Sequence, residues 1–189
     1  MNKRVIEIGL VVLFGLILSL PASAFAMDSV SITVTIRIEP FQQLTLRSKN
    51  SAVTVEGGNE EVTSKVQLDE VSGSEVKLEP AVSAGVESNV DWRLLAHTEN
   101  PYVTGNGTQN YSSGPELSLK IPASPPSVNP SGGIGTSYVP IGGTQEEIAT
   151  GGAGTTESFD VYYRLGFQDF DTNDVDGAGV DVVYTMMEL

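Results

Sequence analysis

The feature that most constrains the fold of this chain is a strict alternation of apolar and polar residues near its start. Within residues 29–38, five β-branched apolar side chains alternate with Ser, Thr or Arg. Successive side chains of a β-strand point to opposite faces, so the pattern predicts a strand with one apolar face and one polar face. Beyond residue 27, no window longer than about ten residues has the apolar spacing of a helix.

Shorter runs of strand-forming residues recur along the chain, and clusters of Gly, Asn, Ser or Pro separate them. Such a series predicts an all-β fold, an antiparallel β-sandwich with immunoglobulin-like or jelly-roll-like connectivity. The gaps are long enough for hairpins and too short for crossover helices, which favours antiparallel pairing. The runs cover residues 44–47, 53–56, 62–68, 76–82, 90–96, 117–121, 159–167 and 180–186.

The first 26 residues have the layout of a secretory signal peptide. A basic start precedes an apolar stretch over residues 8–20, and small residues follow it. The stretch is shorter than the ~20 apolar residues that cross a bilayer, which favours cleavage over a retained anchor. We expect cleavage after Ala26, or after Ala24 as the alternative. Residues 27–189 would then form a single β-sandwich domain with no membrane span.

The charge of the chain is strongly acidic, which excludes several classes of partner. Of 10 basic and 24 acidic side chains, the signal peptide removes two and one, so that 8 and 23 remain and the net charge is −15. Such a surface repels nucleic acid and anionic lipid. The absence of cysteine excludes disulfides and thiolate metal sites. We expect a protein that is secreted or on the cell surface, or periplasmic in a Gram-negative cell.

A stretch rich in proline and glycine occupies residues 122–143. Proline removes backbone donors and glycine adds conformational freedom, so the composition predicts a long surface loop. Loops of this length either bind a ligand or only connect two strands.

The sequence offers little catalytic machinery. His97 is the only histidine, and no nucleophile elbow, zinc motif or phosphate-binding loop is present. Pairs of carboxylates suit glycoside hydrolysis, but they are unavoidable in so acidic a chain. We therefore expect a protein that is not an enzyme, with no catalytic residues.

The aromatic residues allow two interpretations. Trp92 alternates with Val90 and Leu94, which favours a position in the core over a sugar-stacking surface. Tyr102, Tyr111 and Tyr138 stand in turn regions and could contact a carbohydrate.

An acidic segment, DFDTNDVDGAGVD at residues 169–181, contains five aspartates. It does not complete the ligand pattern of a helix–loop–helix calcium site in either possible frame. We interpret it as a hairpin turn between the runs 159–167 and 180–186, with weak calcium binding as the alternative and no other cofactor. The candidate metal ligands are Asp169, Asp171, Asn173, Asp174 and Asp176.

The two ends of the predicted mature chain resemble bacterial secreted β-sandwich surface, coat or fimbrial-type subunits. The resemblance lies in a signal peptide that leads into a long alternating strand, and in the ending DGAGVDVVYTMMEL. It implies a sandwich subunit that assembles through strand exchange or sheet edges, and it brings no catalytic residues.

These features predict a secreted, non-enzymatic structural or adhesive surface protein that assembles through its N-terminal strand. Its partners would be further copies of itself or other surface proteins. The alternative is a carbohydrate-binding module, assisted by calcium, that uses the three tyrosines and the proline-rich stretch to bind polysaccharide. A hydrolase is the third possibility.

Overall fold

The computed structural model describes residues 39–58, 61–105, 114–168, 170 and 175–189, and these residues form strands and connections without a helix. The predicted strand 29–38 and the predicted signal peptide lie outside the described residues. The strands are β1 (Gln42–Ser48), β2 (Val53–Gly58), β3 (Glu61–Leu68), β4 (Glu75–Ser88), β5 (Trp92–Gly105), β6 (Glu116–Lys120), β7 (Val128–Pro130), β8 (Val139–Pro140), β9 (Glu146–Gly151), β10 (Thr155–Gly166) and β11 (Val175–Glu188).

The strands form two antiparallel sheets that pack face to face, which confirms the predicted β-sandwich. A five-stranded sheet has the order β1-β4-β10-β6-β8, and a six-stranded sheet has the order β2-β3-β11-β5-β9-β7. Strands that follow one another in the chain lie in different sheets, except for the hairpin of β2 and β3. Antiparallel pairing therefore arises mainly from connections that cross between the sheets, and not from the hairpins that the short gaps suggested.

The core lies between the two sheets and is built from the inward face of each alternating strand. Leu44, Val82 and Leu119 are buried from the five-stranded sheet, and Trp92 and Val182 from the six-stranded sheet. The prediction that Trp92 points inward is confirmed. Burial of a side chain of this size contributes ~2 kcal/mol relative to its exposure, so packing of this kind can hold a domain that has no disulfide.

β4 and β5 are each 14 residues long, and both extend beyond their apolar runs. The pairing of β4 with β10 shifts register between Val161 and Tyr163, and the pairing of β5 with β11 shifts between Gly179 and Asp181. Such bulges let a strand continue through residues that interrupt its alternation.

The composition of the proline-rich stretch predicted a long surface loop, but the stretch is more than a surface loop. It contains β7 and β8, and three apolar side chains along it are buried in the core: Val128, Ile134 and Ile141. Each apolar residue stands alone among Pro, Gly and Ser, so no period was visible in the sequence. The stretch closes one side of the sandwich.

The hairpin that we predicted between the runs 159–167 and 180–186 is wrong. β10 pairs with β4 and β6, whereas β11 pairs with β3 and β5 in the other sheet. β11 also begins at Val175, so the second half of the acidic segment is strand and not turn.

Within the described residues, no helix is long and apolar enough to cross a membrane.

Candidate functional site

The two sides of the sandwich end in very different edge strands. On one side, β8 has two residues and β7 has three, and each ends in a proline. On the other side, β1 has seven residues and β2 has six, without proline or a register shift. No described strand pairs with the outer edge of β1 or of β2. Since proline and short length both prevent further pairing, the β7–β8 side is closed to strand addition, whereas the β1–β2 side is open among the described residues.

Asn89, in the turn after β4, holds the residues that lead into β1. Its side-chain oxygen accepts a hydrogen bond from Phe41 N at 2.7 Å, and its amide donates to Glu39 O at 2.8 Å. Asn89 N donates to Phe41 O at 3.1 Å. The three bonds attach the main chain of residues 39–41 to the β4–β5 turn, next to the open edge.

A polar groove of about 520 Å³ lies on the outer face of the five-stranded sheet. We call it the outer groove. Thr45, Gly85 and Ser158 share one row of the antiparallel register across β1, β4 and β10, and all three line the groove. The groove is also lined by Arg47, Lys49, Ser83, Glu87, Thr156 and Glu157.

A second cavity, of about 380 Å³, continues the outer groove toward the turn between β9 and β10. The two cavities share Thr156 and Glu157, and the second one adds Asn129 and the main chain around Gly152 and Gly154. Hydroxyl, amide and main-chain groups therefore line a path across three strands and into the adjacent turn.

Tyr138 lies at the other end of the five-stranded sheet, beside β8. Its ring contacts the Arg164 guanidinium, 5.3 Å from the ring centroid, and the Lys120 ammonium at 5.8 Å. Its hydroxyl donates to Glu79 Oε1, and burial together with this bond raises the pKa of Tyr138 above its usual value. These contacts hold the short strand β8 against the sheet, so the role of Tyr138 is structural.

Tyr102 belongs to β5 of the six-stranded sheet. Its ring covers Gly179 of β11, where an added Cβ would lie 2.5 Å from Tyr102 Cε1. Tyr111 lies outside the described residues. Tyr102 thus lies in the six-stranded sheet and Tyr138 beside β8 of the five-stranded sheet, so the structure does not bring these two tyrosines together.

Of the candidate metal ligands, only Asp176 lies among the described residues; Asp169, Asp171, Asn173 and Asp174 lie outside them. Asp176 is exposed at the start of β11. Among the described side chains there is no group of three or more His, Asp or Glu that could hold a metal ion. Calcium binding by the acidic segment stays a prediction.

His97 lies on β5, mostly shielded from solvent. Its Nε2 is 3.2 Å from Glu99 Oε1, and its Nδ1 is buried with no hydrogen-bond partner in the described part of the chain. Among the described residues, the polar contact of the histidine side chain is therefore a carboxylate of its own strand and not a serine hydroxyl.

The outer groove and the open edge were both missed by sequence reasoning. The groove depends on the register of three strands that are distant in the chain, and short polar side chains on one row give no signal of their own.

Comparison with family models and with curated proteins finds no match for this chain.

Proposed function

We propose that this protein is a secreted, non-enzymatic structural or adhesive subunit that assembles with other copies through a sheet edge. The observation that carries the proposal is the unequal pair of sides, one closed by Pro130 and Pro140 and one open along β1 and β2. A protein that only had to remain monomeric would gain from closing both sides, because an open edge is a template for pairing.

The segment that best matches the open edge is the predicted strand 29–38. Main-chain hydrogen bonds to an added strand give affinity, and alternating apolar side chains give specificity. A hairpin that paired this segment with β1 of its own chain would need residues 39–41 as its turn. Asn89 engages the main chain of those residues instead. This favours pairing with the edge of a second copy.

The segment itself offers a matched test of this assembly. Val34→Lys would place a charge on the apolar face of the predicted strand, and Thr35→Lys would place the same charge on its polar face. Sedimentation of the mature protein over a wide concentration range should show oligomers for the wild type and for Thr35→Lys, and monomers for Val34→Lys. Equal behaviour of the two variants would contradict assembly through the apolar face.

Export is part of the same proposal. Cleavage of the predicted signal peptide after Ala26 would give a mature protein that begins at Met27, which intact-mass measurement of exported material would detect.

The alternative, a carbohydrate-binding module, has less support from the tyrosines, because Tyr102 belongs to the six-stranded sheet and Tyr138 lies beside β8 of the other sheet. The outer groove offers a different place for the same class of ligand.

A further inference from the structure

The outer groove is a depression in the surface of the sheet, because short side chains lie next to each other on one row of the strand register. Thr45, Gly85 and Ser158 stand side by side across three strands, and Ser83 lies on the next row. A Cβ added at Gly85 would meet only Thr45, at 3.7 Å and beyond. The space above Gly85 is therefore open to a ligand and not occupied by neighbouring side chains.

Two basic side chains, Arg47 and Lys49, line the groove of a chain that has 24 acidic and 10 basic side chains. Lys65 pairs with Glu56, and Lys77 pairs with Glu75. By contrast, the side chains of Arg47 and Lys49 make no ion pair or hydrogen bond with any other described residue. Glu87 and Glu157 also line the groove, but neither forms an ion pair with these two cations. The cations can therefore attract an anionic group of a ligand.

The remaining lining suits a ligand with many hydroxyl groups. Ser83, Ser158 and Thr156 can each donate and accept a hydrogen bond, and Glu87 can accept from a ligand hydroxyl. The adjoining cavity adds the amide of Asn129, so polar groups continue beyond the outer groove toward the turn between β9 and β10.

We propose that the outer groove binds an acidic polysaccharide, with its carboxylate groups at Arg47 and Lys49 and its hydroxyls along the floor. No aromatic side chain lines the groove among the described residues, so the stacking that holds many neutral sugars is missing and the cations must supply affinity. A single-stranded nucleic acid is a poorer candidate, because the described lining has no aromatic side chain on which its bases could stack. The proposal does not depend on assembly through the sheet edge.

The charge part of the proposal can be tested by calorimetric titration of the mature protein with a galacturonate hexamer. Arg47→Gln combined with Lys49→Gln should weaken binding by about tenfold or more, because charge-assisted hydrogen bonds are lost. The matched control, Lys65→Gln combined with Lys77→Gln, removes the same charge outside the groove and should leave the affinity within about twofold. Equal losses in the two double variants would overturn the assignment to the groove.

The site itself can be tested by filling it. Gly85→Val has room for its Cβ and suits a strand, so the protein should fold while the side chain occupies the groove. Unchanged near-ultraviolet dichroism of Trp92 would verify the fold, and binding of the hexamer should be abolished. Full binding by folded Gly85→Val would overturn the proposal, as would the absence of binding by the wild type.

The class of ligand is tested by two further titrations. Maltohexaose, a neutral hexamer, should bind at least about tenfold more weakly than the galacturonate hexamer, since it lacks the carboxylates. Polyglutamate should also bind more weakly, because it lacks the ring hydroxyls. Equal affinity for maltohexaose or for polyglutamate would contradict an acidic polysaccharide as the ligand.

Discussion

The hydroxyl groups of Tyr163 and Tyr184 lie 2.7 Å apart in the core and join the two sheets by a hydrogen bond. Tyr163 belongs to the five-stranded sheet, and Tyr184 belongs to the six-stranded sheet. Tyr163 also donates to Ser64 Oγ at 3.1 Å, which leaves Tyr184 as the donor to Tyr163. All three side chains are buried, so each hydroxyl depends on the others for its partner.

Tyr163→Phe should destabilise the protein more than Tyr184→Phe does. Loss of the Tyr163 hydroxyl leaves both Ser64 and Tyr184 buried without their partner, which costs about 1–3 kcal/mol per group. Loss of the Tyr184 hydroxyl leaves the bond from Tyr163 to Ser64 intact. Urea unfolding of the two variants gives the order, and Tyr162→Phe, which alters a neighbouring tyrosine outside this cluster, is the control. The reverse order would contradict the central position of Tyr163.

The same pair predicts that the protein loses stability in alkaline solution. Burial raises the pKa of Tyr163, and burial followed by the charge of Tyr163 raises the pKa of Tyr184, both above 10. Below about pH 10 both tyrosines stay protonated in the folded and in the unfolded chain. The pair therefore does not make the free energy of unfolding depend on pH in this range. Above it the unfolded chain binds fewer protons, and the free energy of unfolding falls by about 1.4 kcal/mol per pH unit for each tyrosine.

Unfolding by urea at several pH values between about 9 and 11 would measure this slope. The double variant Tyr163→Phe with Tyr184→Phe should have a flatter profile than the wild type. An identical slope in the double variant would show that other groups cause the alkaline loss.

Gly151 should tolerate no side chain, because it lies against Trp92. A Cβ at this position would come within 2.3 Å of Trp92 Cζ2 and 2.5 Å of Cε2. Gly151→Ala is therefore expected to destabilise the protein by about 2–3 kcal/mol, as overpacking of a core does. At Gly152 the nearest atom is Asp91 Oδ1, at 3.8 Å, so Gly152→Ala should have a small effect. Fluorescence of Trp92, the only tryptophan, reports the unfolding of both variants.

The acidic segment predicts at most weak calcium affinity, because neither frame of the loop supplies a full set of ligands. Calorimetric titration of the mature protein with calcium should give a dissociation constant weaker than about micromolar. Submicromolar binding that is abolished by Asp171→Ala with Asp174→Ala would contradict the expectation of weak affinity.

The sequence predicted those parts of the fold in which one strand carries its own alternation. β3 and β6 were found within a residue or two of their apolar runs, and Trp92 was placed correctly by its neighbours. Alternation of apolar and polar residues is a local pattern. It is visible in the sequence wherever one face of a strand is buried over several residues.

The missed elements depend on pairing partners that are distant in the chain. β9, EEIATG, has only Ile148 and Ala149 as buried apolar side chains, and β5 on one side and β7 on the other hold it in the sheet. The start of β11 looked like a turn because of its glycines. Gly177 and Gly179 instead allow Thr104 and Tyr102 to pack closely against the strand. The candidate sites were missed for the same reason, since register alone brings Thr45, Gly85 and Ser158 together.

The central proposal, that the open edge accepts the predicted strand 29–38 of another copy, is tested most directly by hydrogen exchange. The mature Val34→Lys variant should keep a vacant acceptor edge, because its own strand cannot insert. Adding a synthetic peptide of residues 29–38 should slow the exchange of amides in β1, and a peptide carrying Val34→Lys should not. Unchanged exchange along β1 and β2 at saturating peptide would contradict assembly through this edge.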